Sequence, residues 1–319
     1  MDWFDLTGKK AWVTGGSVGI GRGYAIALAK AGADVAIVDI DTRTGEKTAA
    51  EIREMGRNSV FVHCDVTSQE QVEAMAAQVV EAFGRLDIAV NNAGIGILGP
   101  DEDYPQSAWE KVLGVNLTGM WFCCTAACRQ FIRQNETDSV PMGGKIINTA
   151  SMSARIANCN ASYDASKGGV VEMTRTLAAQ WGTYNVNVNC ISPSYILSPM
   201  HASTPVEVRE RIRQLTPLGY MQRPEDLYGP VVFLASRAAD YVTGVDLLVD
   251  GGHTLNAWLT PLSRKVPPRI SPEEETVSLK HDMAALEIPV NEDGINFAYH
   301  PEIADAYKAA FGLDSGEKK

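Results

Sequence analysis

Tyr163 and Lys167 stand four residues apart, a spacing that puts a phenol and an ammonium on one face of a helix. Free tyrosine has a pKa near ~10 and is a poor base at neutral pH. An ammonium about 4 Å away, at an effective dielectric of roughly 20, would lower that pKa by about three units. The pair therefore predicts a phenol near neutrality that can take the proton of a substrate hydroxyl. An ordinary Tyr/Lys pair on a helix surface is the alternative.

A glycine-rich turn, TGGSVGIG at residues 14–21, joins the first predicted strand to a helical segment at residues 24–31. Glycines let the backbone turn tightly and approach a pyrophosphate, whose charge the free N–H groups at the helix start would bind. A tight strand-to-helix turn without a ligand is the alternative. The predicted dinucleotide-binding residues of this turn are Gly15, Ser17, Val18, Gly19 and Ile20.

Asp39 ends the second predicted strand, where an acidic side chain can accept hydrogen bonds from the adenosine ribose hydroxyls. A carboxylate there would repel the 2′-phosphate of NADP, and neither Val18 nor Ile40 offers an arginine to that phosphate. The sequence therefore favours NAD as the cofactor. Two alternatives stay open: Asp39 caps the helix that begins near Thr42, or Asp41 binds the ribose instead.

The ends of the next two predicted strands complete the expected cofactor site. The third strand runs into Asp65 and Val66, where the carboxylate would contact the adenine ring or cap the helix that follows Ser68. The fourth runs into NNAG at residues 91–94, whose small residues would let a cofactor pass over the backbone. These strand ends add Ile40, Asp65, Val66, Asn92, Ala93 and Gly94 to the predicted cofactor contacts.

Short apolar runs rich in β-branched residues alternate with segments of helical periodicity over the first four-fifths of the chain. Nearly continuous apolar strands indicate burial on both faces of a parallel sheet, with helices on either side. The sequence thus predicts an α/β fold with a doubly wound parallel sheet of about seven strands. The predicted strands are residues 10–13, 34–39, 59–64, 87–90, 145–149, 186–191 and 245–249.

The composition argues against several other classes of protein. The 319 residues carry 28 Lys and Arg against 39 Asp and Glu, a formal net charge of −11, without a basic run that could bind nucleic acid. The apolar stretches are far shorter than the ~20 residues that span a bilayer, and the start MDWFDL is acidic where a secretory signal is basic. We expect a cytoplasmic protein with six reduced cysteines and no membrane partner. Scattered histidines and cysteines predict no metal site.

In order and spacing, TGxxxGxG at residues 14–21, NNAG at 91–94, Asn116, Ser151 and Tyr163-x-x-x-Lys167 closely resemble the short-chain dehydrogenase/reductase family. The match covers about residues 5–255 and implies a Rossmann-type fold that binds NAD. It implies that Tyr163 is the general base in oxidation and that Lys167 lowers its pKa and binds the nicotinamide ribose. Ser151 would hold the substrate oxygen, and Asn116 would keep a water in line with Lys167.

The segment after the sixth predicted strand departs from the family pattern. Ser194 stands where the family usually has glycine, yet Pro193 and the backbone of Ile196 are still expected to face the nicotinamide carboxamide, with Ser198 in place of the customary threonine. The spacing of twelve residues from Ser151 to Tyr163 is one shorter than in many members, which leaves Ser153 as the alternative substrate serine. Within the substrate loop, residues 194–215, the candidate substrate contacts are Tyr195 and His201.

Residues 256–319 extend beyond the predicted catalytic domain, residues 1–255, and look like two short helices at 273–286 and 301–311. The extension would cap the active site, embrace a neighbouring subunit or cover the outer surface. The resemblance also implies a homo-oligomer, a homotetramer or a dimer. Its interface would use helices that carry Trp109, Trp121 and Trp181, although core packing explains these tryptophans equally well.

The sequence thus predicts an NAD-dependent oxidoreductase acting on a secondary alcohol or ketone, with a sugar, polyol or similar small hydroxylated substrate. The acidic stretch DED at residues 101–103 would disfavour an anionic acyl thioester near the mouth of the site. Two alternatives remain: a reductase of 3-oxoacyl thioesters, and a nucleotide-binding protein of the same fold that has lost catalysis.

Overall fold

A computed structural model of the protein describes residues 3–99, 101–138, 143–158, 160–201, 204–256, 261 and 264–287. Seven parallel strands form one sheet in the order β3-β2-β1-β4-β5-β6-β7. The strands are β1 (Lys10–Thr14), β2 (Asp34–Asp39), β3 (Ser59–His63), β4 (Ile88–Asn91), β5 (Gly144–Thr149), β6 (Val186–Pro193) and β7 (Asp246–Val249). The predicted fold class is therefore confirmed, and the strand ends differ from the prediction by at most a few residues.

Helices connect the strands and cover both faces of the sheet. They are α1 (Gly19–Lys30), α2 (Thr42–Glu54), α3 (Gln69–Phe83), α4 (Gln106–Leu113), α5 (Met120–Thr137), α6 (Ala161–Trp181), α7 (Val206–Leu215), α8 (Tyr228–Ala235), α9 (Pro272–Glu275) and α10 (Val277–Ala285). A core of apolar side chains on one face joins the sheet to α3, α5 and α6. A second core on the other face joins it to α1, α2 and α8.

Alternating side chains of the strands point into the two cores, which is why the strand sequences are apolar at nearly every position. Trp12 of β1 belongs to the core on one face, and its neighbour Val13 belongs to the core on the other. β1 lies between β2 and β4, in register with both: Thr14 stands opposite Val38 on one side and Asn91 on the other. Connections that leave β1 and β4 therefore diverge at this point of the sheet.

The chain between α4 and α5 is a six-residue π-helical turn, Gly114–Gly119. Wide turns of this kind inside helices are uncommon and often occur at functional sites. The turn carries Asn116, which is fully buried, so this residue is not an ordinary position of a regular helix.

The described part of the extension packs onto the rest of the same chain. The single helix predicted at residues 273–286 is broken into α9 and α10 at Thr276, and Ser271 caps α9 with a reciprocal hydrogen bond to Glu274. Leu279 and Met283 of α10 are buried against α7 and the segment before it. The second predicted helix, at residues 301–311, lies outside the described residues.

Other predictions concern the whole chain. The described cysteines, Cys64, Cys123, Cys124, Cys128 and Cys190, are all buried free thiols. In the part of the chain that the structure describes, no helix is both long and apolar enough to cross a membrane. Within the same residues, no group of three or more His, Cys, Asp or Glu side chains could hold a metal ion.

Candidate active site

A cavity of about 540 Å³ lies along the carboxyl ends of the parallel strands, where β1 and β4 send their connections to opposite faces. In open α/β sheets, ligands bind in the crevice at such a point. The volume falls within the ~300–1,000 Å³ range of small-molecule and cofactor sites. The cavity is lined by residues from the ends of six strands, among them Gly15, Asp39, Asp65, Asn92, Ser151 and Pro193.

The glycine-rich turn is closely packed against the end of β4. A Cβ on Gly15, whose φ is +61°, would lie 2.9 Å from the Cα of Ala93, and a Cβ on Gly21 would lie 1.9 Å from the carbonyl oxygen of Gly15. Asn92 fixes the turn because its Nδ2 donates to the carbonyls of Thr14 and Gly15 at 3.2 and 3.1 Å. The turn therefore has no room for side chains at these glycines and exposes its backbone to the cavity.

Asp39 lies at the end of β2 and lines the cavity. Its carboxylate accepts hydrogen bonds from the backbone N–H of Ser17 at 3.2 Å and of Asp41 at 3.1 Å. The N-terminal cap of α2 is Asp41, whose Oδ1 accepts from the N–H groups of Arg43 and Thr44. The alternative that Asp39 caps α2 is therefore wrong, and Asp39, unlike Asp41, belongs to the lining of the cavity.

Asp65 and Val66, which follow β3, also line the cavity. Asp65 accepts hydrogen bonds from the N–H and the hydroxyl of Thr67 at 2.9 and 2.8 Å. The cap of α3 is Ser68, which accepts from the N–H of Gln71. The alternative that Asp65 caps this helix is therefore wrong, and its carboxylate stays at the edge of the cavity with Val18, Ile20, Ile40, Asn92, Ala93 and Gly94.

The predicted catalytic pair lies at the amino end of α6, inside the cavity. Asn160 caps this helix by accepting a hydrogen bond from the N–H of Tyr163 at 3.2 Å. Lys167, one turn later, reaches its Nζ to within 5.6 Å of the ring centre of Tyr163 and donates to the carbonyl of Thr149 at 2.8 Å. Ser151 forms a side-chain hydrogen bond with Tyr163, so the serine, the phenol and the ammonium converge.

Burial dominates the ionisation of this pair. Loss of water raises the pKa of Tyr163 to about 12, although the hydrogen bond with Ser151 favours the phenolate. The same loss of water lowers the pKa of Lys167 to about 8. The expectation that the ammonium alone brings the phenol near neutrality is therefore wrong for the protein without ligands, because desolvation disfavours both charged forms.

Asn116 ties the π-helical turn to the segment after β4. Its Oδ1 accepts from the N–H of Ile95 at 2.8 Å, and its Nδ2 donates to the carbonyl of Ile95 at 2.9 Å and to Ser166 at 3.0 Å. A Cβ on Gly94 would lie 3.4 Å from Oδ1 of Asn116 and 3.5 Å from Nζ of Lys167. Asn116 is thus placed beside Lys167, while its role in positioning a water stays a prediction.

A smaller cavity of about 70 Å³ adjoins the catalytic pair and contains all three predicted substrate contacts, Ser153, Tyr195 and His201, together with Ser151 and Tyr163. The hydroxyl of Ser153 is buried and has no hydrogen-bond partner among the described residues. Tyr195 donates to Asn158 at 2.6 Å. Burial lowers the pKa of His201 to about 4, so its ring is neutral at physiological pH.

Despite the departure at Ser194, the residues expected to face a nicotinamide line the cavity. The N–H of Ser194 donates to Gln222 at 2.8 Å, which holds the end of β6 against the segment before α8. Pro193, Ile196 and Ser198 all line the main cavity. A Cβ on Gly19 would lie 3.3 Å from the Cβ of Ser198, so the glycine-rich turn and the substrate loop are in close contact.

Two polar residues of this region were not among the predicted site residues. Asn158 lines the small cavity through a loop whose position the sequence does not indicate. Asp282 of the extension accepts a hydrogen bond from the N–H of Gly19, 263 residues away along the chain. Nothing in the spacing of the sequence signals either contact, since both depend on how distant segments pack.

Comparison with known proteins identifies the family. A family model described as enoyl-(acyl carrier protein) reductase matches residues 15–254. The chain is 38% identical over 255 residues to the D-threitol dehydrogenase of Mycolicibacterium smegmatis, an alignment that covers 79% of this chain and 95% of that protein. It is 35% identical over 254 residues to the NAD-dependent glycerol dehydrogenase of Listeria innocua, covering 79% of this chain and 96% of that one.

Solved structures that resemble this chain indicate the same family. A short-chain type dehydrogenase/reductase from Mycobacterium marinum superposes with a TM-score of 0.74 at 38% identity, covering 79% of this chain and 98% of its own. A gluconate 5-dehydrogenase from Burkholderia cenocepacia in complex with NADP and tartrate gives a TM-score of 0.74 at 32% identity, covering 80% and 98%. The chain therefore belongs to the short-chain dehydrogenase/reductase family, which confirms the resemblance in the sequence.

The packing of the glycine-rich turn gives a direct test of its role. Gly21→Ala places a methyl group against the carbonyl of Gly15, so the turn must open. We expect dinucleotide affinity, measured by calorimetry, to fall by about tenfold, because forming the turn around one extra methyl group costs about 1–3 kcal/mol and about 1.4 kcal/mol is a factor of ten. The matched control is Gly229→Ala in α8, where a Cβ meets nothing within 4 Å. Unchanged dinucleotide affinity in a folded Gly21→Ala protein would contradict the role of this turn in dinucleotide binding.

Proposed function

We propose that the protein is an NAD-dependent oxidoreductase that interconverts a secondary alcohol and a ketone, with a sugar, polyol or similar small hydroxylated compound as substrate. This proposal rests on one observation: Ser151, Tyr163 and Lys167 lie together where the two cavities meet. The phenol can exchange a proton with a substrate oxygen there, and the serine can hold that oxygen.

The main cavity suits a nicotinamide dinucleotide along its whole length. The backbone of Gly15, Gly19 and Ile20 would receive the pyrophosphate at the start of α1. Asp39 would bind the adenosine ribose, and Lys167 would bind the ribose next to the nicotinamide. When bound, the dinucleotide supplies or accepts the hydride.

Tyr163 exchanges the proton with the substrate, and its ionisation is coupled to the charge of Lys167. Burial holds the phenol in its protonated form and brings the pKa of Lys167 to about 8, so the charged form of each group is disfavoured when it is alone. A charge on one stabilises the opposite charge on the other, since Nζ of Lys167 lies 5.6 Å from the ring centre of Tyr163. Tyr163 therefore acts as base in alcohol oxidation and as acid in ketone reduction, while Lys167 stabilises the phenolate.

The small cavity supports a hydroxylated substrate. Its polar lining includes Ser153, whose buried hydroxyl has no partner among the described residues and could bind a substrate hydroxyl. The relatives named for D-threitol and glycerol act on polyols. The matching family model is described as a reductase of enoyl groups on acyl carrier protein, so the reduction of 3-oxoacyl thioesters, which are also thioester-bound acyl chains, stays the second candidate.

The proposal extends to the cofactor preference, the cellular location and the oligomeric state. Asp39, without an arginine at Val18 or Ile40, favours NAD, although one structural relative binds NADP.

The buried thiols are compatible with a cytoplasmic protein. A homo-oligomer, tetramer or dimer, remains an expectation; Trp109 and Trp121 are 38% and 45% exposed in the single chain.

Removal of the phenolic hydroxyl tests the proposed reaction. Tyr163→Phe should lower turnover by at least about 10²-fold while dinucleotide binding is kept, because the general acid–base group is lost. Turnover is followed by the absorbance of reduced nicotinamide on a panel of polyols, sugars and 3-oxoacyl thioesters. Tyr241→Phe, at a fully exposed position, is the matched control. Equal turnover of Tyr163→Phe and the unaltered protein would exclude the proposed role.

The ribose contact makes a separate prediction. Asp39→Asn keeps an oxygen that can accept from the N–H of Ser17 but removes the charge that repels a 2′-phosphate. The ratio of the dissociation constants for NADP and NAD should fall by about tenfold, a change of about 1.4 kcal/mol. Glu54→Gln, at the exposed end of α2, controls for the change in net charge. Tighter binding of NADP than NAD by the unaltered protein would refute the preference.

A further inference from the structure

The extension places a carboxylate on the cofactor turn. Asp282 of α10 accepts a hydrogen bond from the backbone N–H of Gly19 at 2.8 Å. Gly19 is the first residue of α1, where an N–H group has no partner within its own helix. An anion of this chain is therefore bound at the same helix end that faces the cofactor cavity.

Two other elements hold α10 in this position. The side chains of Leu279 and Met283 are fully buried in a cluster with α7 and the substrate loop. At the carboxyl end of α10, Arg43 and Lys47 of α2 donate to the carbonyl of Ala285 at 3.3 and 3.0 Å. The contact between α10 and the glycine-rich turn is thus supported by apolar packing against the substrate loop and by hydrogen bonds from α2, and does not depend on one exposed side chain.

The charge of Asp282 is poorly compensated. The side chain is 1% exposed, and its Oδ1 has no hydrogen-bond partner among the described residues. The guanidinium of Arg22 comes only to 3.9 Å, because it is held by Glu51 at 2.6 Å. Burial raises the pKa of Asp282 to about 6, and the effects of Glu225 and Glu51 add to this against Arg22. Asp282 is consequently mostly ionised at neutral pH, although burial makes its ionised form unfavourable.

Other titratable groups also face this site. Tyr228, at the start of α8, interacts with Asp282, but burial raises its pKa to about 12 and it stays neutral. His281, the neighbour of Asp282 in α10, has its pKa lowered by burial and by Arg22. Neither group supplies a positive charge that would neutralise Asp282 near pH 7.

We propose that Asp282 sets the affinity of the cofactor site for dinucleotides, an inference that rests on the function proposed above. The ionised carboxylate and a pyrophosphate are both anions at the amino end of α1, so the ionised form opposes binding and the protonated form permits it. Binding then draws a proton from solvent onto Asp282, and affinity falls as the pH rises. The extension thereby acts on the cofactor site through one charge.

The test compares the unaltered protein with Asp282→Asn, which keeps the shape and an oxygen that can accept from Gly19. NAD titrations at pH 5, 6, 7 and 8 should give about tenfold tighter binding by the variant at pH 8 and similar affinities at pH 5. Calorimetry in buffers of different ionisation enthalpy should find proton uptake at pH 7 in the unaltered protein and less in the variant. Glu273→Gln, an exposed position of α9, is the matched control and should behave as the unaltered protein.

Two other results would separate failure of this inference from failure of the proposed function. Equal or weaker NAD binding by a folded Asp282→Asn protein at pH 8 would overturn the inference and leave the proposed function intact, since the carboxylate would then only support the turn. If neither protein binds NAD or NADP at any of the four pH values, the proposed function itself is overturned, and the inference falls with it.

Discussion

The proposed chemistry depends on a lysine ammonium buried beside a phenol. Nζ of Lys167 is held by the carbonyl of Thr149 at the end of β5, and no carboxylate of the described residues pairs with it. Its charged form is therefore costly, and burial lowers its pKa to about 8. In the proposed reaction, that charge would be stabilised by the negative charge that develops next to it when Tyr163 loses its proton. Reactivity is thus conditional on what else occupies the cavity.

Two constraints place this pair where a dinucleotide can reach it. Parallel strands end at one edge of the sheet, so the loops after β1, β2, β3, β4, β5 and β6 all open into one cavity. Close packing of the turn at Gly15 and Gly21 brings the backbone to that cavity without side chains. The extension adds a third influence, since α10 rests on both the turn and the substrate loop. The glycine-rich turn and the substrate loop therefore both contact the same added helix.

The fold and most of the site could be predicted because they depend on local pattern. Apolar runs, the glycine-rich turn and the four-residue spacing of Tyr163 and Lys167 are features of neighbouring residues, and the structure places them as expected. The choice of helix cap is less predictable from the sequence. Asp41 caps α2 and Ser68 caps α3, although Asp39 and Asp65 also stand close enough along the chain to cap these helices. The pKa of Tyr163 and the contact of Asp282 could not be predicted, because burial and the docking of a distant helix decide them.

The ionisation of Tyr163 itself can be followed as the ultraviolet difference between the unaltered protein and Tyr163→Phe during a pH titration with and without oxidised NAD. In the protein alone, we expect the phenol to have a pKa of about 12. Binding of the positively charged cofactor should lower this pKa by at least about two units. If the pKa of residue 163 does not change on saturation with NAD, the proposed stabilisation of the phenolate by positive charge in the cavity is wrong.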